Sequence, residues 1–125
     1  MSTLETRVKI SSGSPYEPIL GYSRAVKVGD LIFVAGTTSG GVGVTAEEQT
    51  REIFRRIEKA LGQAGASFAN VVRTRVFLTD IADFDAVGAV HGELFGDIRP
   101  VTSTIGVSAL ASPNLVVEIE VDAVV

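Results

Sequence analysis

The sequence predicts an α+β fold, a mostly antiparallel sheet of at least five strands with two helices on one face. Three observations carry this. In residues 115–125, Val117, Ile119, Val121 and Ala123 alternate with Glu118, Glu120 and Asp122, the period of a strand with one face in a core. Thr45-Ala46-Glu47-Glu48 reads as a capping box, and Ile53, Ile57 and Leu61 follow at four-residue spacing, an amphipathic helix. The elements run in the order βββαβαββ, with strands grouped at both ends, which favours hairpins and a layered sheet with helices over a regular βαβ repeat.

Taken in order, residues 5–10 (ETRVKI) alternate and form a first strand. Residues 11–20 (SSGSPYEPIL) hold Gly, two Pro and four polar residues and read as a loop. Residues 22–28 and 31–37 are strands joined at Gly29-Asp30, a hairpin. Residues 38–43 (TSGGVG) are a flexible loop; no Lys-Ser/Thr follows, so it is not a phosphate loop. In the first helix Phe54 widens the apolar stripe, and Gly62 and Gly65 end it. Residues 71–78 form a strand. Asp80 caps a second helix with Phe84, Val87, Val90 and Leu94 on its buried side, and Gly96 stops it. Residues 102–109 and 115–125 form the last two strands.

At 125 residues, with no repeat and no linker, residues 1–125 read as one domain able to bury a sizeable core. Apolar residues make up 46% and charged ones 21%, ordinary for a folded chain. A net charge of -4 disfavours a nucleic-acid partner, and no Lys/Arg run opposes that. With no cysteine and one histidine, His91, disulfides, thiol catalysis and clustered zinc ligands are excluded. The opening residues, MSTLETRVKISSGS, lack the apolar segment of a signal peptide. No apolar run reaches the roughly 18 residues of a membrane helix. The expected location is the cytoplasm.

The alternation leaves Glu118, Glu120 and Asp122 opposite the core face, and in the 71–78 strand it sets Arg73 and Arg75 against Val72, Thr74 and Val76. Cross-strand pairing of these charges, beside Phe77 and Val124, makes a mixed face suited to cover by another subunit. A homo-oligomer is expected.

With Tyr22 opening a strand, VRTRVFLTDIADF at 72–84 and VEIEVDAVV at 117–125, the chain resembles the Rid (reactive intermediate deaminase) family over roughly residues 15–125. That family is also called YjgF-like and was long named L-PSP endoribonuclease. The resemblance implies a chorismate-mutase-like fold and a homotrimer, with sheets inward, helices outward and three intersubunit clefts. It implies hydrolysis of imines of 2-oxo acids, such as 2-iminobutanoate and 2-iminopropanoate, without metal or cofactor. In the family's deaminases an arginine holds the substrate carboxylate, a glutamate near the C-terminus positions or activates water, and a tyrosine lies near the start of the second strand. The glutamate matches Glu118 and the tyrosine Tyr22.

The arginine is replaced. The family's deaminases read Pro, a small residue, Arg, Ser, then Cys or Thr; this chain reads Pro100-Val101-Thr102-Ser103-Thr104, with Thr102 in the arginine's place. Gly88 stands where many deaminases have an asparagine. Losing one charge-assisted contact costs about 1.5–3 kcal/mol. Arg99 and Arg24 are the candidates to replace the charge.

Each candidate also has a plain structural reading. Glu118 fits a salt-bridged acid beside Arg73 or Arg75, Tyr22 an interface aromatic, and Arg99 a surface arginine before Pro100. Thr102 and Thr104 share one strand face, Ser103 takes the other, and all three suit a strand by composition. His91, spaced with Phe84, Gly88 and Phe95, fits a satisfied helix histidine. Gly36-Thr37 backbone is a weaker cleft candidate. The expected site holds Tyr22, Thr104 and Glu118, with Arg24, Arg99 and Thr102 as further ligand-binding candidates. The expected chemistry is water addition to a C=N or C=O bond with Glu118 as base, acting on imine, enamine or related carbonyl metabolites rather than as an efficient 2-imino acid deaminase. The alternatives are a non-catalytic metabolite-binding or chaperone-like trimer and, more remotely, an endoribonuclease.

Overall fold

The computed structural model describes residues 6–125. Residue 5 of the expected first strand, and the first five residues of the N-terminal stretch, lie outside the described residues. The strands are β1 (Arg7–Ile10), β2 (Ala25–Val28), β3 (Leu31–Thr37), β4 (Val71–Leu78), β5 (Val101–Gly106) and β6 (Val117–Val124). The helices are α1 (Tyr16–Leu20), α2 (Ala46–Gln63) and α3 (Phe84–Phe95). The sheet runs β1-β2-β3-β6-β4-β5. All its pairs are antiparallel except β4 with β5.

The expected layering holds. Helix α2 buries Ile53, Phe54, Ile57 and Leu61 against Ile32, Val34, Val117, Ile119 and Val121. Each such side chain contributes roughly 1.5–3 kcal/mol by leaving water. The capping box forms, with the Glu48 amide donating to Thr45 Oγ1 at 3.1 Å and the Thr45 amide to Glu48 Oε1 at 3.1 Å.

Several local expectations are corrected. Residues 16–20 form a short helix rather than loop, because the Ser12 amide and hydroxyl donate to the buried Glu17 carboxylate and fix the turn. Strand β2 begins at Ala25, so Tyr22 precedes it. Gly62 lies inside α2; Gly65, at φ 82°, takes the left-handed position that ends it. Asp80 caps a single 3₁₀ turn at Ile81–Asp83 instead of α3, by accepting from the Ala82 amide at 3.0 Å. Phe84 is exposed, and Phe95 takes its place on the buried side of α3. The chain leaves α3 through Arg99 rather than Gly96: Arg99 has φ 54° and its amide reaches the Phe95 carbonyl at 2.8 Å. A bulge at Val71/Arg73 puts Val71 in the core and leaves Val72 exposed. The last two strands are β5 at Val101–Gly106 and β6 at Val117–Val124, shorter than expected.

The sheet's other face is open in the single chain. It carries Leu31, Phe33, Val101 and Ile105, all exposed. Arg75 pairs there with Glu120 at 3.0 Å and lies 3.6 Å from Asp122, and Arg73 lies 3.8 Å from Asp122.

Candidate functional site

A groove of about 1150 Å³ lies at the end of the sheet where β2 begins, β3 ends and β6 begins. It is lined by Tyr22, Arg24, Gly36, Thr37 and Glu118, and it reaches Arg55, Arg56 and Lys59 of α2.

A bulge between Val34 and Thr37 breaks the β3–β6 ladder. It turns backbone carbonyls toward Arg24. Arg24 Nη1 donates to the Gly36 carbonyl at 2.9 Å and to Thr37 Oγ1 at 2.8 Å. Thr37 Oγ1 in turn donates to the Ala35 carbonyl at 2.8 Å. The Arg24 guanidinium carbon lies 5.6 Å from the Tyr22 ring centroid, a cation–π contact. Arg24 Nε and Nη2 have no bond among the described residues, so the anchored fork keeps donors for a ligand.

Glu118 is half-buried beside Gly36. A side-chain carbon at Gly36 would come within 3.0 Å of Glu118 Cδ, so glycine makes room for the carboxyl. Among the described residues Glu118 has no hydrogen bond and no ion pair, since Arg73 and Arg75 engage Glu120 and Asp122 instead. Burial, and then the Glu120 charge, push its pKa above the usual carboxylate value, while Arg24 pulls the other way. The plain reading of Glu118 as a salt-bridged acid is therefore not what the fold builds.

The basic stretch of α2 was not picked out from the sequence, although Arg55-Arg56-Ile57-Glu58-Lys59 carries a visible signal. Arg55 and Arg56 both bind Glu52 at 2.7 Å and hold its pKa down to about 2. Lys59 has no ion pair among the described residues. Against Glu52 and Glu118, the four cations leave the groove net positive.

The remaining candidates lie elsewhere. Thr74 is buried on the helix-covered face, and its Oγ1 meets Thr102 Oγ1 at 2.8 Å. Thr102 and Thr104 therefore face the helices, while Ser103 faces the open side opposite Arg75. Val76 pairs with both Thr104 and Ile119, so Thr104 and Glu118 lie near one level of the sheet but on opposite faces. One chain does not bring Thr104 to Glu118. Arg99 caps α3, its Nε on the Gly96 carbonyl at 3.0 Å, and does not line the groove. His91 is the satisfied helix histidine the spacing suggests, with Nε2 at 2.8 Å from Thr74 Oγ1.

A family model described as endoribonuclease L-PSP matches residues 13–125. The chain belongs to this family, the Rid/YjgF-like proteins. Its fold is the YjgF, chorismate-mutase-like one. A solved member of the YjgF/YER057c/UK114 family from Mycobacterium tuberculosis superposes with TM-score 0.91 at 57% identity, covering 95% of this chain and 99% of that one. An uncharacterized protein of Streptomyces coelicolor is 40% identical over 97% of this chain and 94% of its own length. The chloroplastic Reactive Intermediate Deaminase A of Arabidopsis thaliana is 33% identical over 79% of this chain and 56% of its own length. As a Rid-family chain, this one has no helix among the described residues long and apolar enough to cross a membrane.

Proposed function

We propose that the chain assembles as a homotrimer and hydrolyses imines, enamines or related carbonyl metabolites in clefts between subunits. Glu118 is the base for water, and Arg24 meets a substrate anion. The observation that carries this is the Glu118 carboxyl: half-buried, unpaired among the described residues, its proton affinity increased by burial, and beside a fixed guanidinium. Such a group takes a proton from attacking water more readily than an exposed carboxylate. The Tyr22 hydroxyl and the free Arg24 donors are the groups available to meet the developing charge, while Thr37 holds Arg24 in place.

Two features favour a cleft made by two copies. Thr102 and Thr104 lie across the sheet from Glu118 on its other face, so a shared site takes them from a second chain. The open sheet face exposes Phe33 and Ile105 around the Arg75–Glu120 pair, a surface suited to burial. Deaminase chemistry is the activity named for the Arabidopsis relative. With Thr102 in place of the arginine, 2-imino acids are poorer substrates than for relatives that keep it.

The test is ammonia release from 2-iminobutanoate generated in situ, with light scattering for the assembly. Hydrolysis falls about 10²–10⁴-fold in Glu118→Gln, the usual worth of a positioned base. Arg24→Ala raises KM about tenfold or more, as expected for a lost charge-assisted contact. A monomer at micromolar concentration refutes the cleft. Ligand binding without turnover in the wild type favours the metabolite-binding trimer.

A further inference from the structure

A second polar cluster runs from the interior to the free edge of the sheet. His91 Nε2 lies 2.8 Å from Thr74 Oγ1 and 3.5 Å from Thr102 Oγ1. Thr74 Oγ1 lies 2.8 Å from Thr102 Oγ1. Thr74 is fully buried and Thr102 exposed, so the hydroxyls connect the imidazole to solvent. Without a ligand, the Thr102 proton has a longer alternative, the Pro100 carbonyl at 3.2 Å.

The imidazole sits against Phe95, centroid 4.7 Å away, and Phe54 at 6.0 Å. Charged neighbours are occupied elsewhere. On α2 and α3, Arg51 and Glu93 bind each other at the surface. On β4, Arg73 and Arg75 point to the opposite face. After α3, Arg99 turns to the Gly96 carbonyl. Burial alone acts on the ring and lowers its pKa below the usual histidine value, so it is neutral at neutral pH. A neutral ring protonated at Nδ1 accepts at Nε2. The hydroxyls then align from Thr102 to Thr74 to His91, and the Thr102 oxygen is left to accept from a ligand.

We propose that His91 and Thr74 are positioning residues that make the Thr102 hydroxyl a proton acceptor for the reacting substrate, in the cleft facing the neighbouring copy's Glu118. This rests on the hydrolysis reading above. As the O–C bond to an iminium carbon forms, the π pair moves to nitrogen and Glu118 takes a water proton, giving a carbinolamine. In its collapse Glu118 returns that proton to nitrogen, and the C–N pair leaves with ammonia. The carbinolamine O–H pair becomes the C=O bond, and its proton passes to Thr102 as Thr102 and Thr74 hand theirs on to His91 Nε2. Iminium and water give carbonyl, ammonia and one proton, which His91 returns to solvent.

His91 is the sole histidine, so its imidazole nitrogens give unambiguous NMR signals in the ¹⁵N-labelled full chain. The expected neutral tautomer carries its proton on Nδ1. Added 2-oxobutanoate, whose carbonyl accepts the Thr102 proton as the product does and draws it away from Thr74, shifts these signals in the wild type and in Thr74→Ser, and leaves them unmoved in Thr74→Val and in the surface variant Thr102→Val. Turnover falls about 100-fold in Thr74→Val and His91→Phe with KM within twofold, and the acid side of the kcat profile loses the His91 ionisation and keeps that of Glu118. An Nε2-protonated ring, an imidazole blind to 2-oxobutanoate, or an acid limb identical in position and steepness to the wild type's in both variants overturns the relay, since only the limb of Glu118 remains once His91 is disconnected. Wild-type inactivity alone sinks the hydrolysis reading, and the two NMR outcomes then decide the relay.

Discussion

Replacing Gln49 tests how the groove is held open. Gln49 is fully buried in α2. Its Nε2 donates to the Gly43 carbonyl at 3.2 Å and the Asn114 carbonyl at 2.8 Å, and its Oε1 accepts from the Val116 amide at 3.0 Å. One side chain thus ties the 38–43 loop to the 111–116 segment, and both supply groove rim, through Gly40, Gly41, Ser112 and Asn114. Gln49→Leu keeps most of the volume but removes three hydrogen bonds and leaves backbone groups unmatched. At about 1 kcal/mol each, the loss is about 3 kcal/mol. An unfolding entropy of about 2.1 cal/mol/K per residue over 125 residues gives about 0.26 kcal/mol/K, so Tm falls by about 11 °C. Urea unfolding at fixed protein concentration checks the energy, and calorimetry checks Tm. A loss under about 1 kcal/mol would falsify the view that this side chain holds the two rims.

The carboxyl of Glu118 is predicted to cost stability while serving function. Its folded pKa is raised, so the stability linked to its protonation is present at low pH and lost as pH rises through the folded pKa. Glu118→Gln therefore raises Tm at pH 7, and the gain shrinks as the buffer is taken below the ordinary value of 4.5; a lower Tm at pH 7 counts against the account. At Arg99, φ 54° favours glycine, so Arg99→Gly is expected to be about 1 kcal/mol more stable than Arg99→Ala with hydrolysis unchanged, and equal melting temperatures would contradict it. Thr45→Ala removes the α2 cap and lowers stability by about 1 kcal/mol in denaturant titration; no change would mean the box is redundant with the packing of Ile53 and Phe54.

The strands and long helices were legible because their signals are local. The alternation of Val117 to Ala123 and the Thr45 capping box each depend on a few neighbouring residues and on burial, and the fold keeps both. Short-range departures arose where a specific contact outweighed composition. Glu17 folded a Pro- and Ser-rich stretch into a helix by binding Ser12, and the bulges at Val34/Thr37 and Val71/Arg73 moved residues between faces. A bulge adds one residue to one strand, which leaves no mark in an alternating pattern.

By itself the sequence determined the order of the six strands and the two longer helices, the capped amphipathic helix, the family resemblance and the replacement of an expected arginine by Thr102. Only the tertiary structure decided what surrounds the charges. It put Arg24, and not Arg99, beside Glu118, because the β3 bulge offers Arg24 carbonyl acceptors while Arg99 is spent ending α3. It placed Thr102 with His91 and Thr74, residues distant in sequence, because parallel pairing of β4 and β5 sets Thr74 opposite Thr102 beneath α3. Spacing along a chain fixes which face a side chain takes within its own element; which elements bring those faces together is set by packing the whole core.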